Sequence, residues 1–181
     1  MIVLLFGAPG TGKSTYGRYL ASRLGVPWIS SGLLLREVAR QDERIARWIE
    51  AGELVPDEEV ERVLHARLDG APTGFVLDGY PRTAVQAGSF LRFLDEREWR
   101  IARVFHVCAP DEVVLQRLLA RGREDDSPEV IRERLRVYRE ETEPVLDAFR
   151  QAGVSVVDVD NTAPVEEVQS RLDASLAGVT L

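Results

Sequence analysis

The chain contains 181 residues, with 23 lysines and arginines against 30 aspartates and glutamates, and its formal net charge is −7. This length fits one domain of roughly 100–200 residues. The negative charge argues against general nucleic-acid binding, because a phosphate backbone favours clustered positive charge. No apolar run reaches the roughly 18 residues needed to span a membrane. Cys108 is the single cysteine, which excludes an intramolecular disulfide and a zinc site built on several cysteines. We therefore expect a cytoplasmic protein without nucleic-acid or membrane partners.

Short apolar runs alternate with helical patterns along the chain. The apolar runs predict buried strands over 2–6, 27–30, 75–78, 104–108 and 154–159. Helices are predicted over 13–24, from 56 to about 68, from Pro110-Asp111 onward and from 162–164 onward. A long helix is predicted from Ser127-Pro128, with an apolar face that reaches Phe149. Residues 31–70 show no convincing strand pattern and are predicted to form a helical insertion.

Alternation of strands and helices is typical of an α/β fold, a parallel sheet with helices on both faces. Ligands of such sheets bind beyond the carboxyl ends of the strands. A ligand site is therefore predicted just after Phe6, Ser30, Asp78 and Cys108.

A glycine-rich segment follows the first predicted strand and opens the first predicted helix. Residues 7–14 read Gly-Ala-Pro-Gly-Thr-Gly-Lys-Ser and match the pattern G-x-x-x-x-G-K-[S/T] in full. Such a loop turns backbone N–H groups and a helix N-terminus toward phosphate. Lys13, the only lysine of the chain, supplies a compact positive charge, and Ser14 can reach a bound Mg²⁺ ion. The loop predicts binding of a nucleoside triphosphate without specifying the reaction.

A second polar cluster follows the predicted strand 75–78. Asp78 ends that strand, where a carboxylate can hold the waters of Mg²⁺. Arg82 follows a turn stiffened by Gly79 and Pro81, so its side chain projects from a fixed platform. Gln86 lies one helical turn further on, and its amide can pair with a base edge by donating and accepting at once.

Together these segments resemble the adenylate kinase family of nucleoside monophosphate kinases, over essentially the whole chain. The matching segments are 7–15, 29–36, 52–57, 77–86, 117–134 and the position of Ala163. The resemblance implies a single P-loop kinase domain over 1–181, with a parallel five-stranded sheet flanked by helices in three layers. It also implies a helical monophosphate-binding subdomain over 30–59 and a short lid over 121–127.

The resemblance further implies a monomeric enzyme that transfers a phosphoryl group from ATP to AMP, with Mg²⁺ as its cofactor. The matches to ATP-binding residues are Gly10, Thr11, Gly12, Lys13, Ser14, Thr15, Arg117, Arg121 and Ala163. The matches to AMP-binding residues are Ser31, Arg36, Glu53, Leu54, Val55, Gly79, Tyr80, Pro81, Arg82, Gln86, Arg123 and Arg134. The matches to catalytic residues are Lys13, Arg82, Arg121, Arg123 and Arg134. The implied Mg²⁺ site consists of Ser14 and Asp78, directly or through water.

Two positions depart from the family pattern, and both concern the metal. Ser14 stands where the family usually has glycine, so its hydroxyl can ligate Mg²⁺ directly. Leu33 stands where the family usually has an acid, which removes a partner for the Mg²⁺ hydration shell. We expect Ser14 to compensate for Leu33.

Arginines are concentrated between residues 113 and 139. Arg132, Arg136 and Arg139 are expected to form a solvated helical face with carboxylate partners. The remaining arginines match the phosphate-clamping arginines of the family, and nearby carboxylates would hold them in place. A general base is not required, because the acceptor phosphate is already ionised.

The expected lid is short. Long members of the family insert a domain, sometimes one that binds zinc, between the positions of Arg121 and Arg123. Only Gly122 intervenes here, so we expect a lid loop without zinc. Outside the motifs, His65 and His106 are expected to pack rather than react, and nothing near Cys108 indicates a reactive thiolate.

Three alternatives remain open. The nearest is a kinase for UMP or CMP, against which Gln86 and Ser31 favour AMP. The second is a nucleotide-binding module with little catalysis, suggested by Leu33. The third is a P-loop kinase for a non-nucleotide metabolite, which the matches over 52–57 and at Gln86 argue against.

Overall fold

The computed structural model describes residues 1–71, 74–123 and 126–177. Within them, five strands form one parallel sheet in the order β2-β3-β1-β4-β5. The strands are β1 (Ile2–Phe6), β2 (Trp28–Ser30), β3 (Phe75–Asp78), β4 (Ile101–Cys108) and β5 (Val156–Asp160). The predicted α/β fold with a five-stranded parallel sheet is confirmed.

Helices join the strands and cover both faces of the sheet. They are α1 (Lys13–Leu24), α2 (Ser31–Ala39), α3 (Glu43–Ala51), α4 (Asp57–Leu68), α5 (Ala84–Asp95), α6 (Asp111–Arg121), α7 (Pro128–Val137), α8 (Val145–Gln151) and α9 (Val165–Leu176). The predicted helical insertion between β2 and β3 consists of α2, α3 and α4. None of the described helices is long and apolar enough to cross a membrane.

β1 shows why both faces are covered, since its side chains alternate between two cores. Val3 and Leu5 pack with buried residues of α1 and α9, such as Leu20 and Leu172. The alternate residues, Ile2, Leu4 and Phe6, belong to the other core. The second core includes residues of α4, α5 and α8. A strand buried on both faces is apolar throughout, which is the pattern that identifies β1 in the sequence.

The predicted long helix from Ser127-Pro128 is wrong in one respect, because the structure divides it. Ser127 does cap α7, its Oγ accepting from the N–H of Val130 over 3.3 Å. The α-helix ends at Val137, and Tyr138–Thr142 form a π-helical turn before α8 begins. The N–H of Glu143 donates to the carbonyl oxygen of Tyr138 over 2.8 Å. Pro144 has no N–H to continue an α-helical ladder.

Candidate active site

In the sheet, β3 and β4 lie on opposite sides of β1. In sheets of this kind, ligands bind at the carboxyl ends of the strands at the point where the strand order reverses. A cavity of about 470 Å³ opens at the carboxyl ends of these strands. It is lined by the glycine-rich loop after β1, the turn after β3, parts of α2 to α4, and arginines of α6 and α7. This is the edge of the sheet at which the sequence predicts a ligand.

The glycine-rich loop has a backbone that other residues could not adopt. Gly7 has a φ of 143°, and a Cβ atom there would lie 2.3 Å from the carbonyl oxygen of Val107 in β4. Lys13, the first residue of α1, donates from Nζ to the carbonyl oxygens of Gly7 (2.6 Å) and Ala8 (2.8 Å). The lysine therefore closes the loop on itself and also lines the cavity.

Positive charge exceeds negative charge around Lys13. Burial lowers the pKa of the Lys13 ammonium to about 8, and Asp78 opposes this shift. Repulsion from Arg82, Arg134 and Arg121 lowers the same pKa further. A cavity of this kind attracts anions, although the chain as a whole carries a net charge of −7.

Asn161, directly after β5, braces the glycine-rich loop. Its buried side chain donates from Nδ2 to the carbonyl oxygen of Thr11 over 2.6 Å and accepts from the Tyr16 hydroxyl. Its own carbonyl oxygen accepts from Arg117 over 3.0 Å. Sequence reasoning misses Asn161, because no motif marks it. Its position at the carboxyl end of a strand is the signal that could have identified it.

Ser14 and Asp78 provide two oxygen donors beside the loop. The Ser14 hydroxyl donates to Oδ2 of Asp78 over 2.8 Å, and Asp78 is buried at the end of β3. Hydroxyl and carboxylate oxygens are ligands that Mg²⁺ accepts. The donor set therefore fits a Mg²⁺ ion. Leu33 also lines the cavity but offers no oxygen to a metal.

The turn after β3 holds Arg82 in place. The Tyr80–Pro81 peptide bond is cis. The carbonyl oxygen of Gly79 accepts from the Ser31 hydroxyl (2.5 Å) and from Nε of Arg82 (2.9 Å). Burial lowers the pKa of the Arg82 guanidinium to about 10. Arg82 is thus a partly buried cation whose position the turn fixes.

A network of side chains fixes the amide of Gln86, which is 1% exposed. Its Oε1 accepts from the backbone N–H of Arg82 over 2.7 Å, and its Nε2 donates to Oδ1 of Asp57 over 2.7 Å. Oδ2 of Asp57 accepts from the Thr83 hydroxyl, and Thr83 caps α5. These bonds use one N–H and one acceptor position of the amide, so one of each is left for a ligand. Sequence reasoning does not identify this role of Asp57.

Asp126 is the centre of the arginine cluster, and its side chain is 1% exposed. It accepts two hydrogen bonds from Arg121 (2.7 and 2.8 Å), one from Arg134 (3.1 Å) and one from the backbone N–H of Arg123 (3.3 Å). Burial alone would raise the pKa of the Asp126 carboxyl, but the hydrogen bonds from Arg121 and Arg123 and the positive charges of Arg121 and Arg134 together outweigh it and hold the pKa below its usual range. One carboxylate therefore orients the guanidinium groups of Arg121 and Arg134 and holds the backbone at Arg123.

Most of the site residues that the family resemblance implies lie in the wall of this one cavity. They are Gly10, Gly12, Lys13, Ser14, Thr15, Ser31, Arg36, Glu53, Leu54, Val55, Asp78, Gly79, Pro81, Arg82, Gln86, Arg117, Arg121, Arg123 and Arg134. Thr11, Tyr80 and Ala163 are not among its described lining residues. Thr11 and Tyr80 are buried, and Ala163 packs against the core that contains α1 and α9. Within the expected lid, Glu124 and Asp125 lie outside the described residues.

The arginines expected on the surface lie apart from the cavity lining. Arg132 pairs with Glu129, and Arg136 pairs with Glu133 and Glu140, all on exposed helix faces. Arg139 pairs with Asp111 of α6. The division of the arginines into exposed and cavity-lining groups agrees with the sequence analysis.

Comparison with known proteins supplies a family. The model of the adenylate kinase family matches residues 5–154. An adenylate kinase of Nocardia farcinica is 44% identical over 177 residues, which cover 94% of this chain and 96% of the relative. One of Rhodococcus erythropolis is 40% identical over 182 residues, with coverage of 97% and 99%. One of Mycolicibacterium smegmatis is 39% identical with the same coverage.

Proposed function

The chain belongs to the adenylate kinase family, and we propose that it transfers a phosphoryl group reversibly from ATP to AMP, with Mg²⁺ bound, to give two ADP. Membership of the family makes it an enzyme, a nucleoside monophosphate kinase. One observation carries the finer proposal. A single cationic cavity has a triphosphate loop on one side and the turn from Gly79 to Gln86 on the other.

On the ATP side, the glycine-rich loop and the N-terminus of α1 would bind the triphosphate through backbone N–H groups. Lys13 now donates to two carbonyl oxygens of its own loop. In the complex its ammonium group would turn to the terminal phosphates and stabilise their charge. Arg117 and Arg121 would contact ATP from α6.

On the AMP side, Arg36 and Arg82 would bind the monophosphate, and residues 53–55 would line the base pocket. Gln86 would read the base, since its fixed amide retains one donor and one acceptor. A site that hydrogen-bonds a base edge rejects other bases, because the wrong base leaves its buried polar groups unpaired.

Four arginines, Arg82, Arg121, Arg123 and Arg134, would stabilise the charge that spreads over the transferring group. Asp126 would keep Arg121 and Arg134 oriented and would hold the backbone at Arg123. The acceptor oxygen belongs to an ionised phosphate, so the reaction needs no proton acceptor on the protein. We also propose that residues 121–127 act as a short lid and that 30–59 form the monophosphate-binding subdomain.

Ser14 and Asp78 would hold Mg²⁺ together with the triphosphate, and their adjacent oxygens support this assignment. When bound, the ion neutralises charge on the β- and γ-phosphates. Because Leu33 offers no oxygen, the hydroxyl of Ser14 would contribute more to metal binding here than glycine could.

The test is a coupled assay of ADP formation with ATP, Mg²⁺ and each of AMP, CMP, GMP and UMP. We expect kcat/KM for AMP to exceed the values for CMP and UMP by about 100-fold or more. A preference for CMP or UMP would assign the enzyme to the other acceptor class. Slow turnover with every acceptor would indicate a nucleotide-binding module.

A further inference from the structure

A second group of ligand-type side chains lies on β4 and β5. His106 and Cys108 are two residues apart on β4, so their side chains leave the same face of the sheet. Asp158 is the register partner of His106 on the neighbouring parallel strand, which puts its carboxylate on that face as well. The ligand atoms of these three residues all lie within 4.8 Å of one another.

We propose that His106, Cys108 and Asp158 form a binding site for a soft divalent transition metal such as Zn²⁺. Nitrogen, sulfur and oxygen donors are the set that Zn²⁺ takes in proteins. Tetrahedral geometry with ordinary Zn–N and Zn–S bond lengths separates the two donor atoms by about 3.5 Å. Nδ1 of His106 and Sγ of Cys108 are 3.4 Å apart. Nδ1 and Oδ1 of Asp158 are 2.8 Å apart and would separate by about 0.5 Å when a metal replaces the proton between them.

The other ring nitrogen of His106 already has the partner that a metal-binding histidine needs. Nε2 lies 2.8 Å from the hydroxyl oxygen of Tyr138. Histidine ligands usually donate their second N–H to an oxygen, which fixes the ring and its tautomer. This contact leaves Nδ1 as the ligating atom. The His106 side chain is 12% exposed and that of Asp158 is 67% exposed, so an ion could enter from the side of β5.

Negative charge around the cluster favours a cation. Burial, followed by repulsion from Asp158, Glu143 and Asp160, raises the pKa of the Cys108 thiol to about 11. At neutral pH Cys108 is therefore a protonated thiol in the free protein. Binding of a divalent ion would release this proton, because the thiolate is the form that ligates the metal.

Two cations face the same region without neutralising it. A cavity of about 450 Å³ beside the cluster is lined by His106 and Asp158, and also by Arg139 and Arg150. Arg139 pairs with Asp111, and Arg150 pairs with Asp147. Both guanidinium groups thus have carboxylate partners outside the proposed ligand set.

One rearrangement is required for binding. Sγ of Cys108 lies 3.7 Å from Nε2 as well as 3.4 Å from Nδ1, so the sulfur stands beside the ring instead of in line with the Nδ1 lone pair. Cys108 must turn about its Cα–Cβ bond to share a metal with Nδ1. The site therefore differs from a preformed structural zinc site, and we expect micromolar rather than nanomolar affinity. A metal ion bound by these three residues would link β4 to the edge strand β5.

The first experiment is a Co²⁺ titration of the nucleotide-free protein, followed by absorption spectroscopy. A Co²⁺–thiolate bond gives a charge-transfer band in the near ultraviolet, whereas Co²⁺ bound to oxygen ligands does not. We expect this band to saturate at one Co²⁺ per chain, to disappear on addition of Zn²⁺ and to persist with Mg²⁺. Cys108→Ser should abolish the band, and Asp158→Asn should weaken binding by about 10-fold or more.

Asp95→Asn is the control for the loss of one exposed carboxylate, since Asp95 pairs with Arg100 outside the lining of this cavity and its substitution should leave the titration unchanged. The second experiment is thermal unfolding with and without Zn²⁺. A metal that binds only the folded chain raises Tm by mass action, so wild type should gain stability and Asp158→Asn should gain less. Absence of the band in the wild type, or equal stabilisation of wild type and Cys108→Ser by Zn²⁺, would overturn the proposal.

Discussion

The two sides of the nucleotide cavity are built differently. The triphosphate-binding part of the proposed ATP side is one continuous segment in which a glycine-dependent backbone and Lys13 create the site within a few residues. The proposed AMP side takes residues from several elements, and its amide and guanidinium groups are held by side chains distant in sequence, such as Asp57. The glycine-rich loop would supply backbone N–H groups and the charge of Lys13, whereas the AMP side would supply an amide and guanidinium groups held in fixed orientations. Changes on the ATP side should therefore reduce rate, whereas changes on the AMP side should also alter selectivity.

The largest effect is expected from Lys13→Met, which removes the positive charge of the glycine-rich loop at nearly constant side-chain volume. Turnover should fall by about 10²–10⁴-fold, as for the loss of one charge-stabilising group. Steady-state kinetics, with circular dichroism to confirm folding, would check this. A folded Lys13→Met protein with near-wild-type turnover would contradict the role given to Lys13.

Arginines of the cavity should matter far more than arginines of the exposed face. Arg82→Ala and Arg134→Ala should each lower turnover by about 10²–10³-fold. Arg139→Ala, in the π-helical turn that follows α7, is the control, and it should stay within about twofold of wild type, because its exposed ion pair contributes little. Equal effects of all three substitutions would show that the division of the arginines is wrong.

Gln86→Ala should reduce selectivity on the AMP side. We expect the ratio of kcat/KM for AMP to that for CMP to fall by about 10-fold or more, with a smaller change in KM for ATP. Asp57→Ala should act in the same direction but less strongly, because it frees the Gln86 amide without removing it. Unchanged ratios in Gln86→Ala would mean that Gln86 does not read the base.

Ser14 and Leu33 connect the two sides through the metal. If Ser14 compensates for Leu33, Ser14→Gly should raise the Mg²⁺ concentration needed for half-maximal rate by about 10-fold or more, whereas Leu33→Asp alone should change it little. In the double mutant the new carboxylate should restore part of the loss. Mg²⁺ titrations of the four proteins form a double-mutant cycle, and strict additivity would rule out compensation.

The last expected effect is a pH dependence, which is small near neutral pH. The pKa of Lys13 is lowered to about 8, so the free enzyme should lose this positive charge at a lower pH than an ordinary lysine would. Because the protonated form binds phosphate, kcat/KM for ATP should decline above that pH by about 10-fold per pH unit. A profile that stays flat up to the pKa of Arg82, about 10, would contradict the lowered pKa.

The sequence predicts the features that depend on neighbouring residues. The glycine-rich loop, the apolar strand before it and the start of α7 at Ser127-Pro128 all lie within short segments, and the structure contains them at the predicted places. The broken helix also has a local signal in Pro144. In the π-helical turn before it, however, Tyr138 and Thr142 are both buried, and a single helical pattern in the sequence does not specify such a turn.

The features that the sequence does not predict depend on contacts between distant segments. Asn161 braces Thr11, which lies 150 residues earlier. Asp57 orients Gln86 from another helix, and Asp126 acts as a shared partner only because α6 and α7 meet at the cavity. Hydrogen bonds of this kind have no periodicity or motif, and they become visible only when the elements are packed together.

The most direct test of the proposed function is the reaction of ADP alone. If both nucleotides bind the one cationic cavity, the enzyme with Mg²⁺ and ADP should form ATP and AMP in equal amounts, and Lys13→Met should form them far more slowly. Quantification by anion-exchange chromatography would show both products over time. Formation of AMP with inorganic phosphate in place of ATP, or no conversion of ADP, would contradict phosphoryl transfer between two bound nucleotides.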